Sequence, residues 1–236
     1  PMSSVKKLAG QTIWYGFSSI FGRFLNYLLT PLLATIFASA AYGKITTLFA
    51  IAAFLNILFT YGLETAYFRF SASEDEGKVY NTATTSIIIS TTVLTVIFLL
   101  LSQPIASFLE IPTNPEYVQW VLWIVALDTL AVLPFSKLRH EGRPRKFAFI
   151  KILNILINVG LILFFLVVCK EAQQGTILAS FYSEKIGLGY VILANVAASA
   201  VTLMLLAKEL FAFRFQIDIA FWKRLMLYSW PLIIVG

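Results

Sequence analysis

The sequence predicts an all-α membrane protein, a lobe of six transmembrane helices followed by the start of a seventh. Three observations carry that prediction. Apolar residues make up 59% of the 236 and charged residues 13%, where a soluble domain holds roughly 45–50% and about 25%. Six apolar stretches are each long enough for a hydrocarbon core of about 30 Å, which takes roughly 20 helical residues. The basic residues, finally, concentrate in alternate connections between those stretches.

The spans fall at about 13–37, 45–68, 81–101, 117–135, 147–168 and 187–207, within a lobe of residues 1–208. The first imitates a secretory signal, with Lys6 and Lys7 ahead of it and Ala38-Ser39-Ala40 behind. It is longer than a signal's apolar core of roughly 7–15 residues and contains Arg23 and Pro31, so it reads as a retained span. An acidic bend, Ser73 to Gly77, separates spans two and three. Pro104, Pro112 and Pro115 interrupt the next connection, and Gly142-Arg143-Pro144-Arg145-Lys146 the one after. Backbone groups in lipid must be paired internally, and no alternating ten-residue strands suggest a barrel, so helices are the expected spans. Residues 209–224 mix Phe211, Phe213, Phe215, Phe221 and Trp222 with Arg214, Lys223 and Arg224, the composition of a cytoplasmic linker lying on headgroups. Asp218 is placed to cap the helix that follows, and residues 225–236 read as a seventh span cut short.

With the N-terminus inside, fourteen Lys and Arg residues fall on the inner side and three on the outer, namely Lys44, Lys170 and Lys185. That bias predicts a cytoplasmic N-terminus. It also reassigns the net charge of +6: cations beside apolar runs face anionic headgroups, and nucleic acid is not an expected partner. Membrane lipids are.

Catalytic parts are missing. Cys169 is the single cysteine and His140 the single histidine, so thiol or imidazole metal sites and triads lack members. Glu74-Asp75-Glu76 reads as a solvated turn, and no phosphate-binding or dinucleotide fingerprint occurs. No enzyme, metal or cofactor is expected.

Polar residues inside the spans are the informative ones. Thr12, Gly16, Ser19, Arg23, Asn26 and Thr30 recur at spacings of three and four, which places them on one helix face. Small residues there could serve helix packing, but an arginine in mid-span is costly and faces either a cavity or a structural ion-pair partner. In span two, Asn56, Thr60, Glu64 and Tyr67 form a second stripe ahead of Arg69. Glu64 has three readings: an interfacial carboxylate snorkelling to water or paired with Arg69, a coupling group, or a counter-ion to Arg23. Asp128 in span four carries either a coupling role or a structural hydrogen bond. Asn154 and Asn158 follow Lys151 in span five, Asn195, Ser199 and Thr202 mark span six, and span three is rich in Thr and Ser. The expected cavity lining is Ser19, Thr30, Asn56, Thr60, Asn154 and Asn158. A polar interior of basic bias suits a hydrophilic, anionic solute.

Several stretches carry a family resemblance: Ser3 to Thr12, Gly22-Arg23-Phe24-Leu25-Asn26, Ala41-Tyr42-Gly43, Tyr61 to Phe70, and Trp230-Pro231-Leu232. The chain resembles the first half of bacterial polysaccharide-biosynthesis flippases of the O-antigen type, in the multidrug/oligosaccharidyl-lipid/polysaccharide exporter superfamily. The resemblance implies two six-helix lobes around a cation-lined cavity with alternating access, the second lobe being absent from this chain and a partner to it. The implied cargo is an undecaprenyl-diphosphate-linked oligosaccharide for lipopolysaccharide or related surface glycan, moved across the inner membrane. Arg23 would meet the diphosphate, with Asn26 beside it and Arg69 at the cytoplasmic mouth. Two other functions compete. One is a drug or metabolite antiporter of the same superfamily, and the other a membrane-embedded polymerase or transferase, for which the outer loops lack His and Asp.

Overall fold

In the computed structural model, the described residues are 14, 16, 17, 20, 21, 24, 25, 29–37, 39–172 and 176–234. Among them every regular element is helical. The helices are α1 (Ser39–Thr60), α2 (Leu63–Ser71), α3 (Glu76–Leu100), α4 (Ser102–Phe108), α5 (Pro115–His140), α6 (Pro144–Leu163), α7 (Gly189–Leu205), α8 (Ala207–Leu210) and α9 (Ile219–Ser229). A π-helical turn, Phe164–Cys169, prolongs α6.

Four of the described segments are long and apolar enough to cross a bilayer: Tyr42–Ser71, Glu76–Leu100, Pro115–His140 and Pro144–Cys169. The count of six rests on two further stretches. Nine of the 25 residues of the expected first span, Arg23 among them, lie outside the described residues. The expected sixth is α7, whose 17 residues make about 25 Å of helix, short of a full crossing. Span ends read from apolarity also differ from the helix ends. Asp75 accepts the Lys78 amide at 2.7 Å and so starts α3 five residues before the apolar run begins. Helix α5 continues past Pro134 to His140, its last turn carrying Lys137, Arg139 and His140 against the negative end of the helix dipole.

Two compact units make up the chain, Pro1–Leu48 with Pro144–Thr202, and Phe49–Arg143 with Leu203–Gly236. In the first, α6 and α7 are joined by a hydrogen bond from Asn154 Nδ2 to Thr202 Oγ1, 2.9 Å long. Tyr190 stacks on Phe165 with ring centroids 4.7 Å apart, and its hydroxyl donates to the Phe181 carbonyl at 2.9 Å. Cys169 is buried in this unit.

The second unit is built on α3 and α5, which run antiparallel: His140 lies by Glu76 at one end and Gln119 donates to Ser102 at the other. Helices α2 and α9 pack on this pair around a core that includes Leu63, Tyr67, Tyr80, Ile87, Leu133 and Phe221. The Thr-rich face of α3 is buried, with Thr84, Thr85, Thr91 and Thr95 all inside. Between α1 and α2 the chain turns left-handed at Tyr61 (φ 34°) and Gly62 (φ 71°). A left-handed residue ends one helix and reopens the next, and glycine adopts it without strain. Span two is therefore two helices rather than one.

Residues 209–224, the expected linker, lead into α9. Asp218 does cap α9, accepting the Phe221 amide at 2.9 Å. However, Phe221 and Leu225, four residues apart on one face, are within the core, so this part of residues 209–224 docks into the unit rather than lying wholly on its surface.

Candidate functional site

Charge in the second unit gathers at one end, where α2 ends, α3 and α9 begin, and α5 stops. Glu64 on α2 forms its ion pair with Arg139 on α5. The Arg139 guanidinium also lies 5.2 Å from the Phe68 ring centroid, within cation–π range. His140 Nε2 is 3.6 Å from Glu76 Oε2, while the Tyr67 hydroxyl donates to the other oxygen of that carboxylate at 3.1 Å. Arg143 bridges Glu141 and Glu209, 2.9 Å from each. Glu209 is buried, and its carbonyl accepts the Tyr80 hydroxyl at 2.7 Å. A buried carboxylate needs such a partner, because an uncompensated charge there is costly. The hydrogen bond to Glu141 and that to Glu209 raise the Arg143 pKa further, so the bridge stays charged.

The rim of this end is formed by two more pairs, Lys78 with Asp218 at 2.8 Å and Arg224 with Glu74 at 2.9 Å. The Lys78 side chain, then the Phe221 amide, hold the Asp218 carboxyl below the ordinary range. What had the look of a plain acidic bend at Ser73 to Gly77 thus supplies a helix cap and two ion-pair carboxylates.

A second, uncharged cluster lies where α3, α9 and the helix break meet. Ser86 Oγ is 2.9 Å from the Tyr61 hydroxyl and accepts the Trp222 indole N–H at 2.9 Å. Ser90 donates to Tyr61 at 3.2 Å.

The residues singled out from sequence divide as follows. Arg23, Asn26 and Ser19 lie outside the described residues. Glu64 pairs with Arg139, not with Arg69, which is exposed; sequence adjacency misled because three helices converge here. Asp128 is half-buried on α5 and engaged with its surroundings. Thr60 donates to the carbonyl of Asn56 at 2.7 Å, spending its hydroxyl within its own helix. Thr30 is exposed. Asn154 meets Thr202, uniting the polar stripes of spans five and six. The Asn158 side-chain oxygen is buried without a hydrogen-bond partner among the described residues. Arg139, Arg143 and Glu209 were not singled out. The signal for the two arginines was their place in and after the last turn of α5; Glu209 offered none, since only the fold buries it.

The arrangement binds charge to charge at one end and offers hydroxyls and amides elsewhere. Among the described residues no group of three metal-ligating side chains converges. The sequence model of the polysaccharide biosynthesis protein family matches residues 8–236, and the chain belongs to that family. No curated protein and no solved structure matches it.

Proposed function

We propose that this member of the polysaccharide biosynthesis protein family is a transporter lobe acting on a lipid-linked sugar, rather than an enzyme of covalent chemistry. The cargo is an undecaprenyl-diphosphate-linked oligosaccharide, flipped across the bacterial inner membrane by alternating access for O-antigen-type surface polysaccharide. The N-terminus is cytoplasmic, and so is the ion-paired end of the second unit. A second lobe completes the transport path, and Arg23, with Asn26 beside it, receives the diphosphate.

One observation supports this reading beyond family membership. Asp128 aside, the charged residues of α2, α3 and α5 stand in terminal turns. The helix bodies carry hydroxyls, which can exchange hydrogen bonds with a hydrated sugar without fixing a counter-charge. The basic bias of the connections supports the orientation.

The test is a translocation assay in cells lacking the gene. The complete gene should restore movement of the lipid-linked oligosaccharide to the outer leaflet. Accumulation of the same intermediate on the inner leaflet, with the protein present at normal abundance, would refute the reading.

A further inference from the structure

We propose that the strap of residues 208–219 is a docking surface for anionic phospholipid headgroups, with Arg214 on the lipid phosphate and Phe211 and Phe215 among the upper acyl chains. This names a ligand class that a linker merely resting on the bilayer does not require, and it stands independently of the transport proposal.

The position of the strap is fixed by three bonds to the start of α3. Tyr80 donates to the Glu209 carbonyl at 2.7 Å, the Arg214 amide donates to Asn81 Oδ1 at 2.8 Å, and Lys78 pairs with Asp218 at 2.8 Å. All three anchors lie in the first two turns of a segment able to span a bilayer. The strap is therefore held at the depth where that span enters the membrane. Phe213 turns inward against the core, whereas Phe211 and Phe215 on either side are 76% and 68% exposed, and Ile219 is 66% exposed. Large apolar side chains at an interface depth enter the acyl boundary.

Charge chooses the lipid. Lys208, Arg214 and Lys223 are exposed, and among the described residues none of the three is in an ion pair. An open groove of about 770 Å³ separates the strap from α3, and Lys78, Asn81, Arg214 and Gln216 are on its walls. The groove also holds two carboxylates: Asp218 is neutralised by Lys78, and Asp75 keeps its charge but is turned onto the start of α3, accepting the Lys78 amide at the positive end of the helix dipole. Arg214 is thus the cation of the groove left for a phosphate, which guanidinium matches through paired hydrogen bonds.

The experiment uses the full chain purified in a neutral detergent. Dioctanoyl phosphatidylglycerol, dioctanoyl phosphatidylcholine and free glycerol phosphate are titrated while thermal midpoint and lipid adducts by native mass spectrometry are read. Phosphatidylglycerol should raise the midpoint and remain bound; the other two should do neither. Arg214→Gln should weaken that binding roughly fivefold, the scale of one basic residue at an anionic surface. The backbone N–H that anchors residue 214 to Asn81 survives this substitution. The pair Phe211→Ser and Phe215→Ser, made together, should weaken it as well while leaving the anchors intact. Equal stabilisation by phosphatidylcholine would overturn the charge argument, and equal stabilisation by glycerol phosphate would overturn the lipid. Unchanged binding in Arg214→Gln would remove the site.

Discussion

The indole N–H of Trp222 donates to Ser86 Oγ at 2.9 Å, and the same oxygen lies 2.9 Å from the hydroxyl of Tyr61. One serine thus ties α9 and the break between α1 and α2 to the middle of α3. Ser86→Ala strands a partly buried indole donor and removes one of two partners of Tyr61. Its expected cost is about 1–3 kcal/mol, the range for leaving a buried polar group unmade. Ser90 already has the Ile87 carbonyl at 3.2 Å and is one of two partners of Tyr61, so Ser90→Ala should cost about 1 kcal/mol or less. Thermal unfolding of the two variants in the same detergent measures the difference.

Gly62 is the residue at which this junction is least tolerant. A Cβ there would lie 2.8 Å from Leu232 Cβ and 2.9 Å from the Ser229 carbonyl, at a φ of +71°. Left-handed backbone costs a side chain about 1–2 kcal/mol, and overpacking about 1–3 more. Gly62→Ala should therefore destabilise by about 2–5 kcal/mol. Gly160, in the body of α6, has nothing within 4 Å of its own missing Cβ. Gly160→Ala should instead be neutral or stabilising, by up to about 1 kcal/mol. Matching losses in both variants would refute the close approach at Gly62.

The Glu64–Arg139 pair calls for a double-mutant cycle. Both side chains are about a third exposed or more, at 41% and 33%. Solvent screening then limits the coupling to about 1 kcal/mol, shrinking as salt is added. Glu64→Gln combined with Arg139→Gln should show this coupling, and Glu64→Gln combined with Arg69→Gln should show none. Coupling to Arg69 instead would restore the pairing expected from sequence adjacency.

Asp218 makes the strap sensitive to acid. Its pKa is lowered in the fold by the Lys78 side chain and then by the Phe221 amide. An unperturbed aspartate titrates near 3.9. The stabilisation is therefore complete above about pH 4–5 and is lost as pH falls through the depressed native value. Amide exchange at Phe221, corrected for intrinsic rates, should accelerate on acidification below pH about 4. Asp218→Asn keeps a capping oxygen but loses the charge, so its exchange at neutral pH should be faster and its acid dependence flatter. An unchanged acid dependence in Asp218→Asn would assign the effect to another group.

Sequence disclosed four of the expected apolar spans, the cap at Asp218 and the polar positions Asn154 and Thr202, because each follows from local periodicity or from one residue's chemistry. It did not disclose the helix break. Tyr61-Gly62 sits inside the stretch read as one span, and the approach of Ser229 and Leu232, far along the chain, is what makes a glycine useful there. The ion pairs were illegible for a similar reason. Glu64 has Arg69 five residues away in sequence, yet α5 delivers Arg139 from 75 residues along the chain. Burial of Phe221 was masked by its surroundings, since Trp222, Lys223 and Arg224 give the segment an interfacial composition while one face enters the core.

Arg23 is the residue on which the proposed function stands or falls. Its motive is the sequence face Thr12, Gly16, Ser19, Arg23, Asn26 and Thr30, where an arginine within the expected first span would face a cavity or an ion-pair partner. One rival counter-ion is already engaged elsewhere, because Glu64 pairs with Arg139. Asp128 remains as the internal rival, although it too has interactions of its own. In the complete gene, Arg23→Ala should abolish translocation of the lipid-linked oligosaccharide at normal membrane abundance. Arg23→Lys should retain part of it, since an ammonium meets a phosphate as a point charge without the paired geometry. A structural role predicts otherwise: Arg23→Ala would lower abundance, and adding Asp128→Asn would restore both abundance and transport by removing the stranded acid. Transport at the wild-type rate in Arg23→Ala alone would exclude Arg23 from the cargo path.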